Sequence, residues 1–107
     1  MRSTILTRSV EYMDNRISRY SMKMGQCEIT GVFLKASDVH CHHYIPIHLG
    51  GDDSFNNLRI IHKDVHIAIH QTDQTAIKSH LMEFTTDNSI MNKLNKYREK
   101  CGLEPIK

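Results

Sequence analysis

The sequence predicts an α+β fold, with a strand–loop–strand–helix core at residues 26–71 between an N-terminal helix over 1–25 and a C-terminal helical segment over 72–107. Three observations predict it. Apolar residues recur at helical spacing at both ends of the chain. The middle carries short β-branched runs broken by glycine and proline. A length of 107 residues suits one compact domain rather than two.

In the first segment Leu6, Val10, Met13, Ile17, Tyr20 and Met24 step alternately by four and three, which sets them on one helical stripe. Ser3 or Thr4 is placed to cap the start and Gly25 to end the helix. The stripe is expected to pack on the core, or to mark where a larger protein attaches. CEITGVFL, at 27–34, reads as two short extended pieces about a turn at Gly31. Val39 to Ile45 is an extended run carrying three histidines. Pro46 opens a loop with Gly50, Gly51, Asp52 and Asp53, and Leu58 to Ile61 is a second short strand. A helix should start near Lys63 or Asp64 and reach about His70. Thr72 or Asp73 can cap another helix that buries Ile77, Leu81 and Phe84. Asp87 or Asn88 starts a last helix with Ile90, Leu94, Tyr97 and Cys101 on one face, closed by Gly102. Residues 103–107 are expected to dock or fray.

Composition narrows the function classes. No apolar run approaches the roughly 20 residues of a membrane span. The N-terminus has no apolar stretch of the secretory kind, so a cytoplasmic, nucleoid-associated setting of bacterial type is the expectation. Three cysteines, Cys27, Cys41 and Cys101, make an odd set that argues against a disulfide framework. The net charge of +2 is unevenly spread. Residues 1–23 carry five basic side chains against two acidic, residues 93–107 again five against two, and the middle four against eight. Basic flanks can hold phosphates, although two charged helices with solvated faces would look the same. Arg16, Arg19, Arg59 and Lys63 are the candidate phosphate contacts.

Seven of the eight histidines lie between positions 40 and 70. His66 and His70 are four apart on a predicted helix, so both imidazoles can reach one metal ion. A third ligand must come from elsewhere, and the strand with His42 and His43 is the candidate. Adjacent strand residues point to opposite faces, so one of this pair can join the metal while the other stays unligated and activates water. Asn57 can pin a loop or orient that histidine, and Gly50-Gly51 permits a tight, close-approaching loop. Spacing alone leaves three readings open: a catalytic metal, a zinc that only staples a small domain, and coincidence.

These residues resemble the HNH nuclease family: a His42-His43 pair, a Gly50-Gly51 loop, Asn57-Leu58, and His66 nine residues after the asparagine. The resemblance implies a ββα-metal fold. DNRISRY at 14–20, GQCEITG at 25–31, CHHYIP at 41–46, GGDDSFNNL at 50–58, KDVHIAIH at 63–70 and NKYREKCGLEPI at 95–106 are similar to the C-terminal endonuclease region of group II intron-encoded reverse transcriptase/maturases. That similarity spans about residues 12–106. It implies His42, His66 and His70 as metal ligands, His43 as general base, and Asn57 as the residue that orients His43 and steadies the loop.

Many relatives carry a structural zinc on two Cys pairs. Here those positions hold Cys27 and Thr30, then His62 and Val65. Cys27 and His62 could be remnants of such a site, but two ligands do not close it, so no structural zinc is expected. Cys41 is a further conceivable substitute.

The resemblance implies hydrolysis of DNA phosphodiester bonds to a 5′-phosphate and a 3′-hydroxyl, as in second-strand nicking for intron mobility. Magnesium or manganese is the expected cofactor for turnover, while zinc or nickel suits the imidazoles. A neutral base at His43 implies a rate that falls below about pH 6.5. DNA is the expected partner, with intron RNA or the rest of an intron-encoded protein as others, no membrane, and an open oligomeric state. Two alternatives stand beside this reading: a metal- and DNA-binding remnant that does not cut, and a free-standing phage or restriction-type HNH nuclease.

Overall fold

A computed structural model describes residues 2–107, with the side chains of residues 10–107. Ser3, Thr4 and Leu6 lie outside the described side chains. The element order is α1 (Arg2–Met22), β1 (Val39–His43), β2 (Leu58–His62), α2 (Lys63–His70), α3 (Gln74–Leu81) and α4 (Asn88–Lys100), an α+β arrangement consistent with a ββα core. Three single 3₁₀ turns, at Ala36–Asp38, Ile47–Leu49 and Phe55–Asn57, shape the connections.

The hairpin is antiparallel, with Val39 opposite His62, His42 opposite Arg59 and His43 opposite Leu58. The extended run expected to reach Ile45 stops as a ladder at His43. Beyond it the Tyr44 amide bonds to the Asn57 carbonyl, and the Ile45 amide to the Asn57 side chain, at 2.8 and 2.9 Å. A side chain thus takes over from the backbone pairing. The 27–34 segment forms no named strand; it is a turn whose ends meet in one isolated bridge, Gln26 to Phe33.

Leu58, Ile60 and Ile61 of β2 are fully buried, as are Val65, Ala68 and Ile69 of α2. Positions 65, 68 and 69 share one face of α2 and anchor it in the core with Ile77, Leu81, Leu94 and Tyr97. Each fully buried aliphatic side chain contributes about 1.5–3 kcal/mol. That anchoring leaves His66 and His70, on another face, to meet β1. Asp73 caps α3 by accepting from the Ala76 amide, and Asp87 caps α4 by accepting from that of Ile90. Phe84, expected on α3, lies beyond its end with its ring 5.0 Å from that of His62. The C-terminal tail docks: Ile106 is buried and its amide donates to Asn95 Oδ1 at 2.7 Å.

The apolar stripe of α1 faces outward, which corrects the expectation that it packs on the core. Val10 is 56% exposed, Met13 47% and Ile17 58%. The polar face packs instead. Arg19 Nε and Nη2 grip both carboxylate oxygens of Glu28, at 3.0 and 2.8 Å, and Nη1 donates to the Phe55 carbonyl. Glu28 in turn accepts from the Ile60 amide at 2.7 Å. Asn15 Nδ2 donates to the Asp53 carbonyl at 2.9 Å. The loop before β2 presents carbonyls that need donors. A polar helix face supplies them and an apolar stripe cannot. Among the described residues no helix is long and apolar enough to cross a membrane.

Candidate active site

The end of β1 and the outer face of α2 bring His42, His66 and His70 together. Ring centroids lie 5.2 Å apart for His42–His66, 5.1 Å for His42–His70 and 4.9 Å for His66–His70. His42 Nδ1 is 3.3 Å from His70 Nε2, and His66 Nδ1 is 3.0 Å from Nδ1 of His40. His42 is 1% exposed, stacks on Tyr97 at 5.7 Å, and has a buried Nε2 with no hydrogen-bond partner.

Burial first, then the neighbouring imidazoles, pushes His42 down to about 3 and His66 to about 4. Burial, then the Arg98 guanidinium, lowers His70. These rings are therefore neutral near pH 7, each keeping a lone pair. Within the cluster the imidazoles have one another as partners, and one buried nitrogen has none. Such nitrogen donors fit a divalent cation, and the orphaned nitrogen is the polar group a native interior seldom leaves unsatisfied.

Arg98 sets the end of α2. Its buried Nη1 donates to the carbonyls of Ala68, Ile69 and Gln71, at 3.0, 3.0 and 2.6 Å, and its Nε to that of Glu104. A cation on the last carbonyls of a helix is favourable, and here it secures the turn that carries His70.

His43 lies apart from this cluster. Its Nε2 is 2.8 Å from Asp53 Oδ1, and its ring stacks on Tyr12 at 5.8 Å with planes 17° apart. The His43 side chain is 25% exposed and that of Asp53 only 7%, so the imidazole keeps an open side. Asn57 makes its side-chain bonds to main chain, accepting from the Ile45 amide and donating to the Ile45 and Asp52 carbonyls at 3.0 and 2.8 Å. It clamps the loop, and the residue on His43 is Asp53. Gly51 lets the clamp close: a Cβ there would sit 1.7 Å from the Ile45 carbonyl oxygen. Gly50, at φ 99°, turns the chain in the left-handed region.

His42, His43, His66 and His70 line one cleft of about 460 Å³, with Cys41, Cys101 and Leu103 among its other walls. His42, His70 and Cys101 each offer a donor atom within 4.8 Å of the other two. Burial pushes the Cys101 thiol up, against the pull of Arg98.

Four neighbours of this site went unread in the sequence: Asp53, Tyr12, His40 and Cys101. The Asp52-Asp53 pair after the glycines signals an acidic loop. Nothing local links Tyr12 or Cys101 to positions some 30 and 60 residues away.

The other sequence candidates are scattered. Arg19 is buried and holds Glu28, so it is a strut between α1 and β2. Arg16 is half-buried on the same helix. Arg59 lies over the Tyr44 ring at 4.6 Å and donates to the Asn56 and Leu58 carbonyls. Lys63 is 3.6 Å from Asp38, with its side chain 45% exposed. Cys27 is buried and its sulfur accepts from the Thr30 amide at 3.5 Å. Among the described residues Cys27 shares no metal-sized cluster with His62, which lies instead with Asp64 and Glu83. Burial pushes the Cys41 thiol up, against the pull of the neighbouring Tyr12 hydroxyl.

No curated protein and no solved structure matches the chain. Residues 25–72 do match the family model described as HNH endonuclease. That span holds β1, the clamped loop, β2 and α2. The segment that supplies His42, His43, His66 and His70 is thus the part of the chain that is similar to HNH endonucleases.

Proposed function

We propose that the chain is a metal-dependent endonuclease that hydrolyses DNA phosphodiester bonds, with His43 as general base and His42, His66 and His70 as the metal-holding imidazoles. The observation that carries this reading is that two sets of histidines with different partners line one cleft. Three neutral imidazoles cluster with one another, and His43 lines the same cleft with its Nε2 on Asp53. If Asp53 accepts from the Nε2–H, Nδ1 is left with the lone pair that takes a proton from water. The water then attacks phosphorus in line with the leaving oxygen, giving a 5′-phosphate and a 3′-hydroxyl. When bound, a divalent cation neutralises the phosphate and the departing oxygen. Magnesium or manganese suits phosphate oxygens, and zinc or nickel suits the imidazoles.

Arg59, Lys63 and Arg16 are proposed as DNA contacts, with Asn57 as the residue that keeps the Asp53 loop in place. We place the activity in second-strand nicking by an intron-encoded protein, on the similarity of 12–106 to that class, with intron RNA or further protein as partners in a cytoplasmic, nucleoid-associated setting. The exposed apolar stripe of α1 is consistent with attachment to further protein.

The test is nicking of supercoiled plasmid with magnesium, manganese or chelator. The expected result is metal-dependent nicking by the wild type. His43→Ala should keep the fold and metal binding and lose cutting, and His66→Ala should lose metal affinity as well. Cutting by both variants at the wild-type rate would remove the assigned roles. A preparation that binds metal and DNA but leaves the plasmid whole would favour the non-cleaving alternative.

A further inference from the structure

We propose that Cys101 is a fourth protein donor to the metal held by the imidazole cluster, and that this thiol closes the site around zinc while leaving it open with magnesium or manganese. The inference rests on the metal site proposed above and adds a donor from outside the 25–72 segment.

The placement of Cys101 follows from how α4 ends. Tyr97, one turn before it, stacks on the His42 ring at 5.7 Å with planes 22° apart. Arg98, three residues before it, is bound to the last carbonyls of α2, the helix that carries His70. The Cys101 amide caps α4 on the Arg98 and Glu99 carbonyls, and Gly102, at φ 77°, turns the chain away. The end of α4 is therefore fastened both to the His42 ring and to the turn bearing His70, and Cys101 projects where the two meet. Donor atoms of His42, His70 and Cys101 all lie within 4.8 Å of one another.

A further observation points to a cation among them. The 3.3 Å between His42 Nδ1 and His70 Nε2 is long for a hydrogen bond. It matches the ligand–ligand separation of about 3.3–3.4 Å that tetrahedral zinc–nitrogen bonds of about 2.0–2.1 Å impose.

The chemistry of the fourth donor decides the consequence. Thiolate is a soft ligand that zinc accepts and magnesium does not. With zinc, the thiolate joins His42 and His70, and His66, whose ring lies 4.9 Å from that of His70, would complete the closed four-donor set of structural sites. With magnesium or manganese the thiol stays off the ion, and positions remain for water and phosphate. Zinc should then hold this nuclease at rest rather than drive it.

Cobalt(II) reports a sulfur ligand directly, because a thiolate donor adds a near-ultraviolet charge-transfer band that imidazoles do not. The experiment loads the full chain anaerobically with cobalt and compares wild type with Cys27→Ser, Cys41→Ser, Cys101→Ser and Cys101→Ala. The band is expected in the wild type and in the first two variants and lost in both Cys101 variants, with visible cobalt bands remaining. Zinc affinity, read by competition with a chromophoric chelator, should fall about tenfold or more in Cys101→Ser. The zinc concentration that half-inhibits manganese-supported nicking should rise in proportion. Cobalt bound without the charge-transfer band, or a band that survives both Cys101 variants, overturns the thiol donor and leaves the imidazole site standing. Equal zinc inhibition of wild type and Cys101→Ser overturns the closure. Failure of the wild type to bind cobalt at all overturns the thiol donor and the imidazole site together.

Discussion

The Nε2 of His43 lies 2.8 Å from the Oδ1 of Asp53, and that contact joins the end of β1 to the loop that precedes β2. An imidazole whose nitrogen donates to a carboxylate is held in one tautomer with its other nitrogen free to accept a proton. Asp53→Asn should keep the loop but remove the charge that fixes this arrangement. Nicking is expected to fall by about 10- to 100-fold, with metal affinity unchanged because the imidazole cluster is separate. Single-turnover plasmid nicking beside a metal titration checks both parts, and wild-type nicking would dismiss the role of Asp53.

Gly51 is the close-approach point of the same loop. A methyl group there would collide with the Ile45 carbonyl oxygen at 1.7 Å and crowd Asn57 Nδ2 at 2.8 Å. Backbone has to move, so Gly51→Ala should cost about 1–3 kcal/mol and displace Asp53 from His43. The expected outcome is a lower urea midpoint and a nicking defect that high metal concentration does not rescue.

Arg98 holds α2 by its last carbonyls from a position 1% exposed. Arg98→Met fills similar space but leaves the carbonyls of Ala68, Ile69, Gln71 and Glu104 without their donor. A loss of about 2–4 kcal/mol is expected from denaturation. Metal affinity should weaken with it, since His70 sits on the freed turn. A variant as stable as wild type would show that water replaces the guanidinium at no cost.

Acid should destabilise the chelator-treated protein. His42 and His66 are held down to about 3 and about 4, and His70 is lowered too, all by burial first. In the unfolded chain each titrates near about 6.5. Between those values the unfolded chain binds protons that the folded chain refuses, so stability falls as pH drops from about 6.5 toward about 4 and levels once the folded rings also titrate. The lowered carboxyls of Asp52 and Asp64 act in the same sense, but below their ordinary range. Urea midpoints across that window check the prediction, and a flat profile down to about pH 4 would contradict it. Saturating zinc should raise the midpoints near neutral pH, because a metal that binds only the folded form adds stability, and the gain should fade as acid protonates the ligand imidazoles.

Much of the fold could be read from neighbouring residues. The four-residue step from His66 to His70 belongs to one helix face, and the structure has that helix at Lys63–His70. The alternation of a strand separates His42 from His43, and their rings indeed face different partners. Asp73 and Asp87 cap helices through bonds to amides three residues on, which short spacing reveals.

What the sequence alone determined, then, was everything set within one or two turns of chain: periodicity, caps, and which imidazoles share a face. Tertiary structure decided the rest. It chose the polar face of α1 to pack inward, because buried loop carbonyls required donors. It chose Asp53 for His43, and it carried Cys101 to His42 and His70. Those pairings depend on how distant segments close on a shared core, and chain closure leaves no periodic trace in the order of residues.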